Sequence, residues 1–533
     1  MTNCGIRWLS WQRAITALAT LALSLTCAGA SWGAGGKTTT PTYDPSSDPY
    51  SMYNLTAQTG VTGWWNAGYT GKGIDVAVID TGVSPVAGLN TTGKVVNGPD
   101  LSLESQATLV TKSGTTYPLR NLDTFGHGTF MAGLIAGHDP TLTAPYASAP
   151  ASAYRGVAPD ARIVSLKVGD ADGGVDVSQV IAAIDWVVQH AHDPGFNIRA
   201  ISLSYGTNSL QDPSSDPLAY AAEQAWKAGI VVVAAAGNTG FQVGNGAPGL
   251  ADPAYDPFVI GAGGADTLGT ATPSDDVIGG YSASASSCST SCKSPDFVAP
   301  GSHMQGLRVP NSYIDANHPE GRIDTRYFRG SGTSEATAFT AGVVALLLQK
   351  YPTMTPDQVK AFLAASADHL YNTSNKLQGA GEVNLNTLLT ATPPATYTQS
   401  FVASTGTGSL EAARGTDHIA MNGVVLSGEQ DIFGKAFDST AMAKAEAAGA
   451  SWSGGSWNGS SWSGASWSGN SWSGASWSGA SWSGNSWSGM TWSGNSWSGA
   501  SWSGCSWSGN SWSGASWSGS TWSGGSWQGA TWG

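Results

Sequence analysis

Apolar residues alternate along the chain between two patterns. Short, largely apolar runs at 74–79, 161–168, 200–204 and 257–262, and a fully apolar one at 230–236, read as strands of a sheet covered on both faces. Between them, 177–190 and 217–228 carry apolar residues at helical spacing. Thr355-Pro356-Asp357 opens a further helix, with proline in its first turn. This alternation predicts an α/β fold with a mostly parallel central sheet and helices on both faces. Two more helices consist of small residues. One opens at Gly126-His127-Gly128, the other at Gly332-Thr333-Ser334. In the second, Ala338, Ala341, Gly342 and Ala345 form a stripe that another backbone can approach closely, and Tyr351-Pro352 ends it.

Outside this core the pattern changes. Residues 1–30 read as a signal peptide: Arg7 and Arg13, an apolar run over 14–26, then Ala28-Gly29-Ala30 as a small-x-small cleavage site. The run is short for a bilayer span, and no later segment is long and apolar enough for a transmembrane one. Residues 31–50 read as a flexible lead-in, 51–390 as the main domain, and 391–450 as a linker with a small unassigned module. Residues 451–533 repeat Ser-Trp-Ser-Gly-x with period five and no charge, and hold all but seven of the 24 tryptophans. That tail is either a β-solenoid or a disordered, adhesive segment. The net charge of -13 excludes nucleic acid as a partner. Five cysteines are too few for a disulfide scaffold.

Three residues carry candidate chemistry. Asp80 ends the 74–79 strand, where α/β sheets gather their functional groups. His127 lies between glycines that let other side chains crowd its ring. Ser334 sits at a helix N-terminus, a position suited to a nucleophile whose reaction creates an oxyanion. Each alone reads as a cap or a core residue; together they supply nucleophile, base and orienting acid.

The strings Val-Ile-Asp80-Thr-Gly, Gly-His127-Gly-Thr and Gly-Thr-Ser334, in that order, resemble the three catalytic motifs of the subtilisin-like serine peptidases. Gly156-Val-Ala-Pro-Asp160, Ala235-Ala-Gly-Asn238 and Asp296-Phe-Val-Ala-Pro300-Gly301 resemble framework segments of that family. The resemblance implies a peptidase domain over 51–390 that cuts protein or peptide substrates, with no cofactor for catalysis. It implies Asp80, His127 and Ser334 as triad and Asn238 as oxyanion donor. It implies Ser204, Tyr205 and Gly206 as one wall of the substrate cleft, Ala236 and Gly237 as the opposite wall, and Gly173 and Gly174 as its other edge. An exported enzyme, extracellular or wall-associated through its tail, follows as the expectation. The alternative is a surface or wall-binding repeat protein with secondary or no peptidase activity. A lipase is the weaker rival, since it needs Gly-x-Ser-x-Gly ahead of its acid and histidine.

Some features depart from the family pattern. Glu335 follows the nucleophile where methionine is frequent, and its charge is expected to raise the His127 pKa and move the acid limb of activity upward. Phe130 stands where a histidine is common. The stretch after Ala30 leaves no room for a folding-assistant propeptide, so either the enzyme folds unaided or a later part of the chain assists. Cys288 and Cys292 are expected to form a small-loop disulfide in an exported protein. Asp170-Ala-Asp172-Gly resembles the start of a calcium loop but lacks its closing glutamate, so a turn beside the substrate cleft is the better reading; structural calcium stays open, its ligands unknown.

Overall fold

The computed structural model describes residues 43–461, apart from 106–107, 111–115, 241–248, 286–291 and 422–423, and three short backbone strands, Trp492–Gly494, Ser506–Gly509 and Ala515–Ser516. The expected signal peptide and most of the repeat tail lie outside the described residues.

Eight parallel strands form the sheet: β1 (Asp75–Asp80), β2 (Val95–Asp100), β3 (Arg162–Lys167), β4 (Ile198–Leu203), β5 (Val231–Ala235), β6 (Ile260–Asp266), β7 (Phe297–Pro300) and β8 (Glu382–Val383). Their order is β2-β3-β1-β4-β5-β6-β7-β8. Ala367–Asp368 adds an antiparallel strand beyond β8, and Val277–Ile278 pairs antiparallel with β6. The sheet therefore grows in both directions from β1, whose carboxyl end becomes the crevice. Every residue of β1, β5 and β7 is buried, as continuous apolar runs require.

Helix α1 (His127–Ala136) packs on α4 (Thr333–Lys350), and α2 (Val177–His190) packs on α3 (Pro217–Lys227). Side chains set their starts. Asp176 and Gln179 make a capping box on α2; Asp216 accepts from Leu218 and Ala219 N–H on α3, with Pro217 first in the helix. Thr355 and Gln358 make another box on α5 (Pro356–Ala365).

Two expectations shift. The strand expected at 257–262 begins only at Ile260. Proline 257 has no N–H to give, and the Asp256 carboxylate takes the Phe258 and Val259 N–H groups into a turn. The lead-in is packed from Tyr43 onward. Asp48 accepts from the Tyr43 hydroxyl at 2.6 Å and pairs with Arg329 at 2.7 Å, which ties this stretch to the domain.

The stretch expected as linker and module over 391–450 joins the same hydrophobic core as the sheet. Leu410, Ile432, Phe433 and Phe437 are buried in it, and α6 (Ser439–Ala447) packs on α3. Arg414, with no exposed surface, bonds the equally buried Asp176 at 2.6 Å, so the α2 cap and the C-terminal segment share one ion pair. Removing one member of such a pair leaves an uncompensated buried charge. Arg414→Ala is therefore expected to cost about 3–5 kcal/mol, read as a lower urea midpoint. A shift below about 1 kcal/mol would place the pair outside the load the fold carries.

The first repeat units fold as an antiparallel meander. Trp452–Ser453 pairs with Ser456–Trp457, which pairs with Ser460–Ser461. The turns are Gly454-Gly455 and Asn458-Gly459, all at positive φ, as two-residue hairpins need. Trp452 lies opposite Trp457 in this pairing. The Trp457 indole donates to Asp185 on α2 at 2.7 Å.

Burial pushes the Asp185 carboxyl up to about 7, and burial with the Asp185 charge beside it raises Glu446 of α6 well above the carboxylate range. The folded state thus holds protons that the unfolded state releases near pH 4. This contribution to stability is complete below about pH 4 and is lost as pH rises through 7 and beyond. Protease access to 439–461 is expected to rise between pH 6 and 9, and Asp185→Asn to flatten that rise. The same rise in the variant would remove the pair as its cause.

Candidate active site

Asp80 is the last residue of β1 and is 1% exposed. The turn after it is locked from three sides. Thr81 N–H donates to Asp80 Oδ1 at 2.7 Å, and Thr81 Oγ1 donates to Asp123 Oδ1 at 2.8 Å. Lys167, the β3 residue paired with Asp80, donates from Nζ to the Thr81 carbonyl at 2.8 Å. Burial alone would lower the Lys167 pKa, but Glu104, Asp100, Asp123 and Asp170 hold it up. A lysine ammonium thus faces the carboxylates of this region. Asp170 accepts from Leu103 N–H and Asp172 from Gly174 N–H, so both carboxylates hold neighbouring backbone. Among the described residues no group of three or more acidic, His or Cys side chains is arranged for a metal.

His127 opens α1 and is fully buried. Its Nδ1 lies 2.9 Å from Asp80 Oδ1 and 3.0 Å from Oδ2. Asp123 fixes the helix start that carries it, accepting from Gly126 N–H at 2.6 Å and Thr129 N–H at 2.7 Å. Gly128 is sterically required: a Cβ there would lie 2.2 Å from the Gly82 carbonyl oxygen and 3.0 Å from Asp80 Oδ1. Burial pushes the His127 pKa down, but the Asp80 charge and hydrogen bond, together with the charges of Glu335 and Asp123, outweigh it, and the net shift is upward.

Ser334 is the second residue of α4 and is 4% exposed. Ser204 Oγ donates to its carbonyl at 3.2 Å, which joins the end of β4 to the helix start. Asn238 follows β5. Its Oδ1 accepts from Thr333 N–H at 2.8 Å and Thr333 Oγ1 at 3.0 Å, while Thr333 Oγ1 also accepts from Gly237 N–H at 3.1 Å. With Oδ1 so engaged, Nδ2 is presented as a donor beside the α4 N-terminus. Glu335 interacts electrostatically with His127 and Asp80, so the nucleophile's helix start and the Asp–His pair share one buried site.

The other residues expected in the cleft have the following partners. Ala236 accepts from Ala251 N–H at 2.9 Å, and a Cβ on Gly206 would meet the Ala251 methyl at 2.6 Å. The Tyr205 side chain is buried, facing Asp176, Asp417, Asp252 and Arg414. Gly173, at φ +84°, lies under the Phe125 ring, and the Gly174 carbonyl accepts from Asp170 N–H. Cys292 is disulfide-bonded; Cys288 lies outside the described residues.

Asp123, Thr81, Thr333 and Lys167 were not singled out by the sequence reading. Asp123 stands four residues before His127, and Lys167 is a charge inside an apolar strand; either signal was available.

A family model described as Peptidase_S8, the subtilase family, matches residues 71–381. Over 318 residues the chain is 36% identical to serine protease AprX of Bacillus subtilis, covering 59% of this chain and 66% of that protein. Over 303 residues it is 31% identical to subtilisin DY of Bacillus licheniformis, covering 57% of this chain and 86% of that protein.

Proposed function

The chain belongs to the subtilase family of serine peptidases, and from that premise we propose that it is an exported serine endopeptidase working through Asp80, His127 and Ser334. The observation that carries this reading is the buried His127–Asp80 contact at 2.9 Å, in one site with the start of the helix that bears Ser334. Serine oxygen is a weak nucleophile until a base takes its proton. His127 takes it through Nε2 as Ser334 Oγ attacks the scissile carbonyl. Asp80, bonded to Nδ1, fixes the tautomer and stabilises the imidazolium. The tetrahedral oxyanion is held by Asn238 Nδ2–H and the Ser334 backbone N–H. His127 then protonates the leaving amine, and water hydrolyses the acyl-enzyme by the same proton transfers.

Polypeptide is the substrate class, taken in extended form against Ser204–Gly206 and Ala236–Gly237. The tail from Ser451 anchors the enzyme to cell wall or another insoluble polymer, and the Cys288–Cys292 loop is closed by a disulfide. Casein hydrolysis by the purified protein, with and without a serine-directed phosphonate, tests the reading. Hydrolysis that the phosphonate abolishes supports it; hydrolysis indifferent to the phosphonate, or none, overturns it.

A further inference from the structure

A buried carboxyl stands next to Ser334 in the chain. Glu335 has no exposed surface, and neither of its oxygens has a hydrogen-bond partner among the described residues. A Cβ built on Gly332 would lie 2.9 Å from Glu335 Oε2 and 3.2 Å from Asn238 Nδ2. The two side chains therefore close over the same bare piece of backbone. The titratable groups facing Glu335 are His127 of α1, Asp80 of β1 and Tyr281. His127 Nδ1 is committed to Asp80, and the Tyr281 hydroxyl is bonded to Ser302 Oγ at 3.1 Å. Asn238 Nδ2 has no hydrogen bond to any described residue, because the amide is held through its oxygen.

Granting the peptidase reading, we propose that Glu335 is a positioning residue acting through Asn238: uncharged, it leaves the amide to the substrate oxyanion, and ionised, it draws the amide to itself. An ionised carboxylate needs N–H donors; its own backbone N–H is one, and the side-chain donor over the same glycine is the amide the oxyanion requires. A neutral carboxyl makes no such demand. Burial pushes the Glu335 carboxyl up to about 8, against the pull of His127. Its charge is among those that raise the His127 pKa, as expected for the acid limb, and its own titration adds an influence on the alkaline limb. The change belongs to kcat, since the amide acts on the oxyanion and not on the ground-state carbonyl.

The test is the pH dependence of kcat on a small peptide for the full chain, with its Glu335→Gln, Glu335→Met and Asn238→Ala variants. The parent is expected to lose at least about fivefold in kcat between pH 7 and 9.5 with KM steady, and Glu335→Gln to lose less than about twofold. Glu335→Met, which has no ionisable group either, should match Glu335→Gln and keeps the test open where one variant misfolds. In the Asn238→Ala background, Glu335→Gln should leave the pH ratio unchanged, because both act through one amide. An equal alkaline loss in the parent and both Glu335 variants would overturn the proposal. So would a loss that Glu335→Gln still relieves without the Asn238 amide. A parent inactive at every pH would instead fail the peptidase reading itself, and the proposal with it.

Discussion

Replacing Ser334 by alanine is expected to abolish peptide hydrolysis while the thermal midpoint stays near that of the parent. The nucleophile has no substitute: Thr333 is on the same turn, but its hydroxyl is bonded to Asn238 and Gly237. The loss expected is on the order of a millionfold in kcat, a magnitude known for the triad of subtilisin itself and not obtained from this structure. Because triad members act as a unit, His127→Ala added to Ser334→Ala should cost little more. Asn238→Ala should lose roughly 100- to 1,000-fold, again the figure for the corresponding subtilisin donor. Unchanged kcat in Ser334→Ala would refute the assignment, whatever the other variants do.

The second large effect concerns where the chain can be cut. The bounds 51–390 expected from sequence would let a chain ending near Leu389 keep its activity on small peptides. The structure moves that boundary. Ending there removes Leu410, Ile432, Phe433, Phe437 and Trp457, all buried in the sheet's own core. It also leaves Asp176 without Arg414. Each large buried side chain is worth about 2–4 kcal/mol, so the five together come to about 10–20 kcal/mol, as much as the roughly 5–15 kcal/mol by which a folded domain is stable. A chain ending at Leu389 should be insoluble or unfolded by circular dichroism. One ending at Ser461 should fold and cut small peptides, yet lose retention on wall material. A folded, active chain ending at Leu389 would show the C-terminal segment to be an accessory. Equal retention with and without 462–533 would leave the tail a passive spacer.

The sheet and its main helices were legible because their signals are local. Fully apolar strands such as 230–236 and the capped helix at 177–190 need only neighbouring residues to declare themselves. Asp80, His127 and Ser334 were legible through short strings whose glycines have steric causes, as the Gly128 contact with Gly82 makes plain. The C-terminal segment was not. Its helix at Leu410–Arg414 and its two-residue strands are too short for any period, and its apolar residues have meaning only against α2 and α3. Asp123 and Lys167 were passed over for a related reason: their partners are supplied by the turn after β1 and by the 102–104 region, which only the folded chain brings together.

The ion pair between Arg414 and Asp176 also sets an order of events during synthesis. Ser334 leaves the ribosome well before Arg414, and Trp457 emerges later still. Until they arrive, the cap of α2 faces an unneutralised aspartate and the core lacks one flank. Ser334 is thus synthesised well before the framework around it can be complete.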